Sequence, residues 1–459
     1  MNLLHPGARL IDAATGEAAP LRALVDAATE AYTADAARRS ADGRPTGIVL
    51  ALTPTDSGGV ARYLGALAAR RPVALLDPEL PALLLLDLVD RFAPALVTGV
   101  AGTAPDGYLA TDLPGLGPVW SRVTPGGVTP HPNLALLLTT SGSTGSPKLV
   151  RLSADAVHAN AESIAQSLGI TGGDVAPTTL PLFYTYGLSV LNSHLLRGAT
   201  VVLERGGMLQ RPFWAAVETY GATSLAGVPY QYEMLRRLRF DPATYPTLRT
   251  LTQAGGRLRT PLIEDFAGRM AAVGGRLFVM YGQTEATARM TVLPPDRLAD
   301  KLGSAGLPIP RGALSIMDGE VVYHGPNTMM GYAESAPDLT RGDDLGGTLR
   351  TGDLGHLDDE GFLFLTGRLK RIGKVFGVRV NLDDVERALA PHGAVAAVAG
   401  DDRIHVFVEG ADADRAGAVR RELAGRLDTH HTGLDVRGLD RLPLLPTGKV
   451  DYRALEMSL

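Results

Sequence analysis

Along most of the chain, short apolar runs of strand length alternate with longer stretches of helical period. Residues 47–51 and 72–76 are apolar runs, the second stopped by Asp77-Pro78, and residues 134–140 form a third that ends in a Gly/Ser/Thr loop. After the loop, Ser153 stands as a helix N-cap with Asp155 in the first turn, where a carboxylate faces free backbone N–H groups. Val157, Ala161, Ile164 and Leu168 follow at i, i+4, i+7 and i+11, one face of an amphipathic helix. Residues 198–203, 224–228, 249–252 and 276–281 read as further buried strands, each followed by a Gly or Pro break. Such alternation predicts an α/β fold of stacked layers with mostly parallel sheets. Near residues 367–370 the character changes. Ile404, Val406 and Val408 alternate as in a half-buried strand, Ala416, Val419, Leu423 and Leu427 share a helical face, and residues 441–447 form a proline-punctuated loop. The expected organisation is a large layered N-terminal domain over 1–367 and a small α+β C-terminal domain over 368–459.

Composition narrows the function. A chain of 459 residues, 45% hydrophobic, holds ample core for a globular protein of this size. With no cysteine, disulfides, thiolate metal sites and a cysteine nucleophile are excluded. A net charge of −5 argues against a dedicated nucleic-acid binder. The basic run Arg368, Lys370, Arg371, Lys374, Arg379 lacks interleaved stacking aromatics apart from Phe376. The ten histidines show no metal-ligand spacing. The longest apolar stretches fall far short of the roughly 18 residues of a membrane span, and the first 20 residues lack the apolar core of a signal peptide. A cytoplasmic protein with neither membrane nor nucleic-acid partner is expected.

Only five lysines stand against 39 arginines, and Lys148, Lys370 and Lys449 lie inside motifs. The strongest motif is Thr139-Thr140-Ser141-Gly142-Ser143-Thr144-Gly145-Ser146-Pro147-Lys148, directly after an apolar run. Glycine lets backbone N–H groups approach an anion closely, and hydroxyls and a mobile ammonium add to the cradle. It is not a Walker loop, because Gly142 and Gly145 are too close together and no Gly-Lys-Ser/Thr follows. The loop resembles the phosphate loop of AMP-forming adenylating enzymes, the superfamily of acyl-CoA synthetases, peptide-synthetase adenylation domains and luciferases. Five further segments match the same family in order. They are Tyr281-Gly282-Gln283-Thr284-Glu285, the stretch from Gly319-Glu320-Val321 through Gly325 to Gly331-Tyr332, Arg350-Thr351-Gly352-Asp353, Gly367-Arg368, and Pro446-Thr447-Gly448-Lys449.

The resemblance implies a role for each residue. Thr140 to Gly145 and Lys148 would cradle the phosphates of ATP, with Gly255, Gly256, Gly282 and Gln283 also at the nucleotide. Thr284 would hydrogen-bond phosphate, and Glu285 would hold Mg²⁺, a hard cation suited to carboxylate plus phosphate oxygens. Tyr281 would stack near adenine, Asp353 would accept from the ribose hydroxyls, and Arg368 would bind ribose or phosphate. Lys449 is the expected catalytic lysine, a flexible ammonium bridging a carboxylate and the α-phosphate as charge develops between them. Lys370 would be the hinge about which the small domain turns.

Departures from the pattern shape the substrate expectation. Tyr184 stands after Pro181-Leu182-Phe183 where CoA-forming members often carry His, and Thr185 stands where peptide-synthetase domains place an Asp for the α-ammonium. Acids without an α-amine are therefore expected. Phe183, Tyr184, Thr185, Tyr186, Tyr230 and Gly255 are candidates for the acid pocket, with Tyr232 nearby. Their aromatic density suggests a small aryl or polar acid. The chain is expected to be N-terminally short for the family and to carry no fused carrier domain. The reading is a Mg·ATP-dependent ligase that forms an acyl-adenylate and passes the acyl group to the thiol of CoA or of a separate carrier protein. Transfer to an amine or other nitrogen nucleophile is the alternative, with a non-catalytic nucleotide binder further off.

Overall fold

The computed structural model describes residues 3–139, 148–369, 371–376, 378–400, 403–427 and 430–459. Thr140, Ser141, Gly142, Ser143, Thr144 and Gly145 of the expected phosphate loop, and Lys370 of the expected hinge, lie outside them.

Two sheets carry most of the molecule. In the eight-stranded one, Leu134–Thr139, Val73–Leu76, Val49–Leu52 and Leu96–Thr98 run parallel at the centre, and antiparallel strands flank them on both sides. In the five-stranded one, Ser224–Gly227, Thr250–Gln253 and Arg276–Tyr281 run parallel, followed by antiparallel Thr291–Leu293 and Leu307–Pro308. Central parallel strands buried on both faces read as continuous apolar runs, which is why their positions are visible in the sequence. A third, three-stranded parallel sheet joins Arg9–Asp12, Thr200–Leu203 and Val175–Pro177. Ser153 caps the helix Ala154–Leu168 as expected, accepting from the Ala156 N–H at 3.0 Å, and Val157, Ala161 and Ile164 are buried.

One central element escapes the apolar pattern. The strand Leu149–Ser153 lies between Leu134–Thr139 and Gly331–Ala333, yet Arg151 sits fully buried in its middle. That guanidinium is matched by Asp344 at 2.5 Å and by the carbonyls of Met330 and Arg341 at 2.8 and 2.6 Å. A polar residue at a core position breaks a pattern-based reading, and only its distant partners make the burial tolerable.

From Ala313 onward the pairing is antiparallel, except that Arg403–Glu409 and Leu434–Leu439 run parallel. Ala313–Met317, Glu320–His324, Thr348–Leu357 and Leu363–Arg368 form a four-stranded sheet. Beyond it come the hairpin Ile372–Val375 with Val378–Asn381 and the three-stranded sheet Val395–Gly400, Arg403–Glu409, Leu434–Leu439. The helix Ala413–Arg426 buries Ala416, Val419 and Leu423. Two apolar clusters, one around Val385, Val406 and Val419, the other around Val398, Phe407 and Leu455, draw all their buried residues from Val375 onward. Among the described residues no helix is long and apolar enough to cross a membrane.

Candidate functional site

The parallel strands Ser224–Gly227, Thr250–Gln253 and Arg276–Tyr281 all end on one edge, the place where open α/β sheets bind ligands. Val228, Gly255-Gly256 and Tyr281-Gly282 leave the sheet there. Gly255 has φ +81°, and a Cβ on it would lie 2.5 Å from the Tyr184 hydroxyl, so only glycine allows this approach. Gly282 is under a harder constraint, since its Cβ would lie 1.8 Å from the Ala288 carbonyl oxygen. That contact folds residues 282–289 into a tight turn with Thr284–Ala286 as one 3₁₀ turn and Thr287 and Ala288 at φ +60° and +152°.

Buried hydrogen bonds hold these unfavourable angles. Asn327 donates to the carbonyls of Ala286 and Arg289 at 2.8 and 2.9 Å, accepts from the Tyr323 hydroxyl at 2.8 Å, and its own carbonyl accepts from Thr287 Oγ1 at 2.6 Å. Thr185 Oγ1 donates to the Thr287 carbonyl at 3.2 Å, so its hydroxyl is engaged with the turn. Strained backbone that is over-determined by its surroundings is a frequent mark of a functional loop. Here it presents Thr284 and Glu285. Glu285 accepts from Tyr332 Oη at 2.8 Å, while Lys148 pairs with Glu334 and lies 5.9 Å above the Tyr332 ring.

Asp353 sits opposite Arg368 in the antiparallel sheet and is 6% exposed. Arg368 Nε donates to one carboxylate oxygen at 2.9 Å and Tyr281 Oη donates to the other at 2.5 Å. Burial and then the Asp353 charge push the Tyr281 phenol well above its usual range, keeping it a neutral donor. Tyr281 is thus tied to Asp353 rather than standing free.

Lys449 reaches this edge from the far end of the chain. The turn Leu445–Lys449 closes through Gly448 N–H to Leu445 O and Leu445 N–H to Lys449 O, both 2.8 Å, and Gly448 at φ +76° packs against Val228. The ammonium lies 5.3 Å from the centre of the Tyr184 ring. Burial and then the charge of Arg368 lower its pKa to about 8, against the opposing pull of Glu285 and Asp353. Arg368, Glu285 and Asp353 therefore all act on Lys449 electrostatically.

The candidate pocket aromatics separate. Tyr184 meets Tyr186 edge-on at 6.4 Å, and Tyr186 Oη reaches Thr252 Oγ1 at 2.8 Å. Tyr232 is core, packed edge-on against Phe266 with its hydroxyl donating to Thr252 O. Phe183 packs against the cluster under the eight-stranded sheet, and Tyr230 is half-buried on the first turn of the helix Pro229–Arg237. Gly256 packs near Pro229, and Gln283 Nε2 donates to Thr351 O at 3.2 Å. Asn327 and Arg289 are missed by sequence reasoning. A lone arginine between apolar stretches, as in Ala288-Arg289-Met290, is the one signal that could have flagged the second.

The model of the AMP-binding enzyme family matches residues 63–333, more than half of the chain. The chain belongs to that family. Among curated relatives of this AMP-binding enzyme are the 2-succinylbenzoate–CoA ligases of Bacillus velezensis, 33% identical over 273 residues (57% of this chain, 54% of the relative), and of Bacillus subtilis, 33% identical over 275 residues (57% and 54%). The chain spans about half the length of the curated relatives it matches. Solved structures share the fold. The o-succinylbenzoate CoA synthetase of Bacillus subtilis with its acyl-adenylate intermediate has a TM-score of 0.74 at 24% identity, covering 97% of this chain and 94% of that one. An ATP-bound RpMatB-BxBclM chimera has a TM-score of 0.75 at 22% identity, covering 99% and 96%. The layered α/β fold expected from the sequence is the one observed.

Proposed function

We propose that this AMP-binding enzyme is a Mg·ATP-dependent, AMP-forming ligase that activates a small carboxylic acid lacking an α-amine and transfers it to the thiol of CoA. The observation that carries the reading is Lys449 brought from the C-terminal loop to Tyr184, within electrostatic reach of Glu285 and Asp353. Two anions must meet in adenylation, and a lone ammonium at their meeting point offsets the charge that develops. The curated relatives, named as CoA ligases, support the choice of acceptor.

In the first step an acid oxygen attacks the α-phosphorus, the bond to the β-phosphate oxygen breaks, and pyrophosphate leaves. Lys449 would bridge the two reacting anions, Thr284 would hold phosphate, and Asp353 would accept from the ribose, held in place by Arg368 and Tyr281. Lys148, 44% exposed, is free to exchange Glu334 for a phosphate. The donor set suits Mg²⁺ only together with ATP. Glu285 offers one carboxylate, no cluster of metal-ligating side chains is found among the described residues, and Mg²⁺ characteristically takes one or two carboxylates plus phosphate oxygens. When bound, the cation would neutralise phosphate charge. In the second step the thiol attacks the acyl carbon, loses its proton and displaces AMP.

The unit from 368 to 459 is proposed to dock for the first step and turn away for the second. Its polar contacts with the rest include Arg237 with Glu409 at 2.9 Å and Arg259 with the Ala390 carbonyl at 3.2 Å. Exposed pairs of this kind hold weakly, which suits a reversible dock. The test is product analysis over a panel of acids with Mg·ATP, with and without CoA. Pyrophosphate and AMP are expected, with an acyl-CoA when CoA is present. ADP as the stable product would overturn the ligase reading, and acyl transfer to an amine but not to CoA would overturn the acceptor.

A further inference from the structure

The helix Leu21–Ala41 buries Leu21, Val25, Ala28, Tyr32, Asp35 and Arg39, a face that starts apolar and ends charged. Against its polar end lie Arg62 of the helix Ser57–Ala68, Arg71 just beyond that helix, and Thr98 at the end of the strand Leu96–Thr98. Tyr32 and Thr98 are 0% exposed, Asp35 and Arg71 2%, and Arg39 5%. Asp35 accepts from Arg38 Nη2 at 2.9 Å, Arg39 Nε at 2.9 Å and Arg71 Nη2 at 3.1 Å, so its carboxylate is shared among three guanidinium groups. Arg39 completes its bonds on the Ala95 carbonyl at 2.7 Å and Ser121 Oγ at 3.2 Å.

The rest of the cluster is a set of donors short of acceptors. Arg71 Nη2 also reaches the Thr46 carbonyl at 2.8 Å. Arg71 Nε and Nη1, Arg62 Nε, Tyr32 Oη and Thr98 Oγ1 are buried with no hydrogen-bond partner among the described residues. They belong together, because Thr98, Arg62 and Arg71 all act on the Tyr32 hydroxyl. Burial pushes that phenol up to about 12 against their pull, so it stays a protonated donor at neutral pH. Guanidinium nitrogens accept nothing, which leaves the hydroxyl oxygens of Tyr32 and Thr98 as the acceptors of the group. Charge is unbalanced in the same sense. Among the described residues Arg71 pairs only with Asp35, and Arg62 pairs with no carboxylate. Arg39 and Arg71 thus bring two buried positive charges to the single negative charge of Asp35. Burial lowers the pKa of Arg71, with Asp35 opposing and Arg39 adding to the shift, yet a guanidinium remains charged at neutral pH.

An excess of buried donors and an excess of buried positive charge have one remedy in common. A water molecule accepts hydrogen bonds but adds donors of its own and no charge, whereas a small anion accepts from every side and supplies the charge. We propose that Tyr32, Arg62, Arg71 and Thr98 form a binding site for a small monovalent anion of the halide type, held by the two hydroxyls, Arg62 Nε and a free nitrogen of Arg71. The bound anion ties the helix Leu21–Ala41 to the helix Ser57–Ala68 and to the strand Leu96–Thr98, three elements that otherwise meet here through unpaired groups. None of these residues has a part in the ligase chemistry proposed above, so the site stands or falls independently of that reading.

Bromide is the probe, because it scatters anomalously and shares the charge and shape of chloride. Gluconate is the control, an anion too large to enter. At constant ionic strength, replacing gluconate by bromide should raise the Tm of the full chain progressively, as linkage requires of a ligand held only by the folded state. Tyr32→Phe removes one donor and keeps the ring, so it should need at least threefold more bromide for the same rise. Arg71→Met removes the uncompensated charge while Asp35 keeps Arg38 and Arg39, and its Tm should be the same in both salts. An anomalous difference map at the bromine edge should place a peak within hydrogen-bond reach of Tyr32 Oη. The proposal is overturned if the unaltered chain has the same Tm in both salts, or if either folded variant responds to bromide as the unaltered chain does. It is equally overturned if the map shows adventitious surface ions only, with water beside Tyr32. Should Arg71→Met fail to fold, Tyr32→Phe and the map decide between them.

Discussion

Lys449 is the residue on which most of the proposed chemistry rests, and its lowered pKa of about 8 makes its protonation observable. The ammonium form is the one that bridges two anions. Because kcat/KM reports the free enzyme, kcat/KM for adenylation should thus fall as pH rises through about 8, whereas kcat should hold to higher pH because bound phosphates favour the charged form. A kcat/KM profile flat to pH 10 would show that this lysine is not titrating in the site. The same shift has a consequence for docking of the C-terminal unit. A lysine whose pKa is lowered on burial opposes docking most strongly below the lowered value, so docking should tighten as pH rises from about 8 towards 10.5. Lys449→Ala should cost roughly 10²–10³-fold in the adenylation step, the scale of losing one charge-stabilising donor, yet leave consumption of pre-formed acyl-adenylate near the wild-type rate. Single-turnover kinetics of the two half-reactions checks this, and equal slowing of both would contradict the assigned role.

At the scale of elements, the turn over residues 282–289 matters more than any strand that supports it. Its φ values at Thr287 and Ala288 are ones that side chains disfavour, and Asn327 is the residue that holds them. Truncation by Asn327→Ala would strand the Tyr323 hydroxyl in the interior, costing about 1–3 kcal/mol, and leave the Ala286 carbonyl with the Ala288 N–H alone. A Tm lower by several degrees is expected, together with a drop of at least tenfold in kcat/KM for adenylation, because Thr284 and Glu285 lose their fixed pose. Loss of Tm with unchanged kinetics would mean that the turn only supports the fold. The neighbouring strand Leu149–Ser153 teaches the same lesson in another form: an arginine at its centre is buried because Asp344, nearly two hundred residues later, meets it.

For the molecule as a whole, the proposed cycle turns on how firmly the last ninety or so residues dock. Arg237 and Glu409 form one of the few ion pairs across the divide, with the Arg237 side chain 51% exposed. Arg237→Glu would replace attraction with repulsion. Surface pairs are worth about 0.2–1 kcal/mol, so adenylation should slow by no more than about fivefold, with the deficit shrinking at high salt. Transfer from pre-formed acyl-adenylate to CoA should not slow. A slowed transfer step with normal adenylation would reverse the proposed assignment of docked and undocked states. Lys370→Pro probes the turn itself, since proline fixes φ near −65°, and it should slow transfer while sparing adenylation.

The strands at 73–76, 134–139, 200–203 and 276–281 are legible in the chain because parallel strands buried on both faces need mostly apolar residues. Thr284, Glu285, Asp353, Arg368 and Lys449 stand out in the chain as candidates because their motifs resemble those of AMP-forming adenylating enzymes. Other features have no local signature. That Tyr281 is tied to Asp353, that Thr185 donates to the turn, that Tyr232 is core, and that Arg289 has no carboxylate partner among the described residues all depend on partners far away in sequence. Local propensity and periodicity register which residues can occupy a strand or a turn. Whether a buried polar group is satisfied is decided only when the distant segments meet.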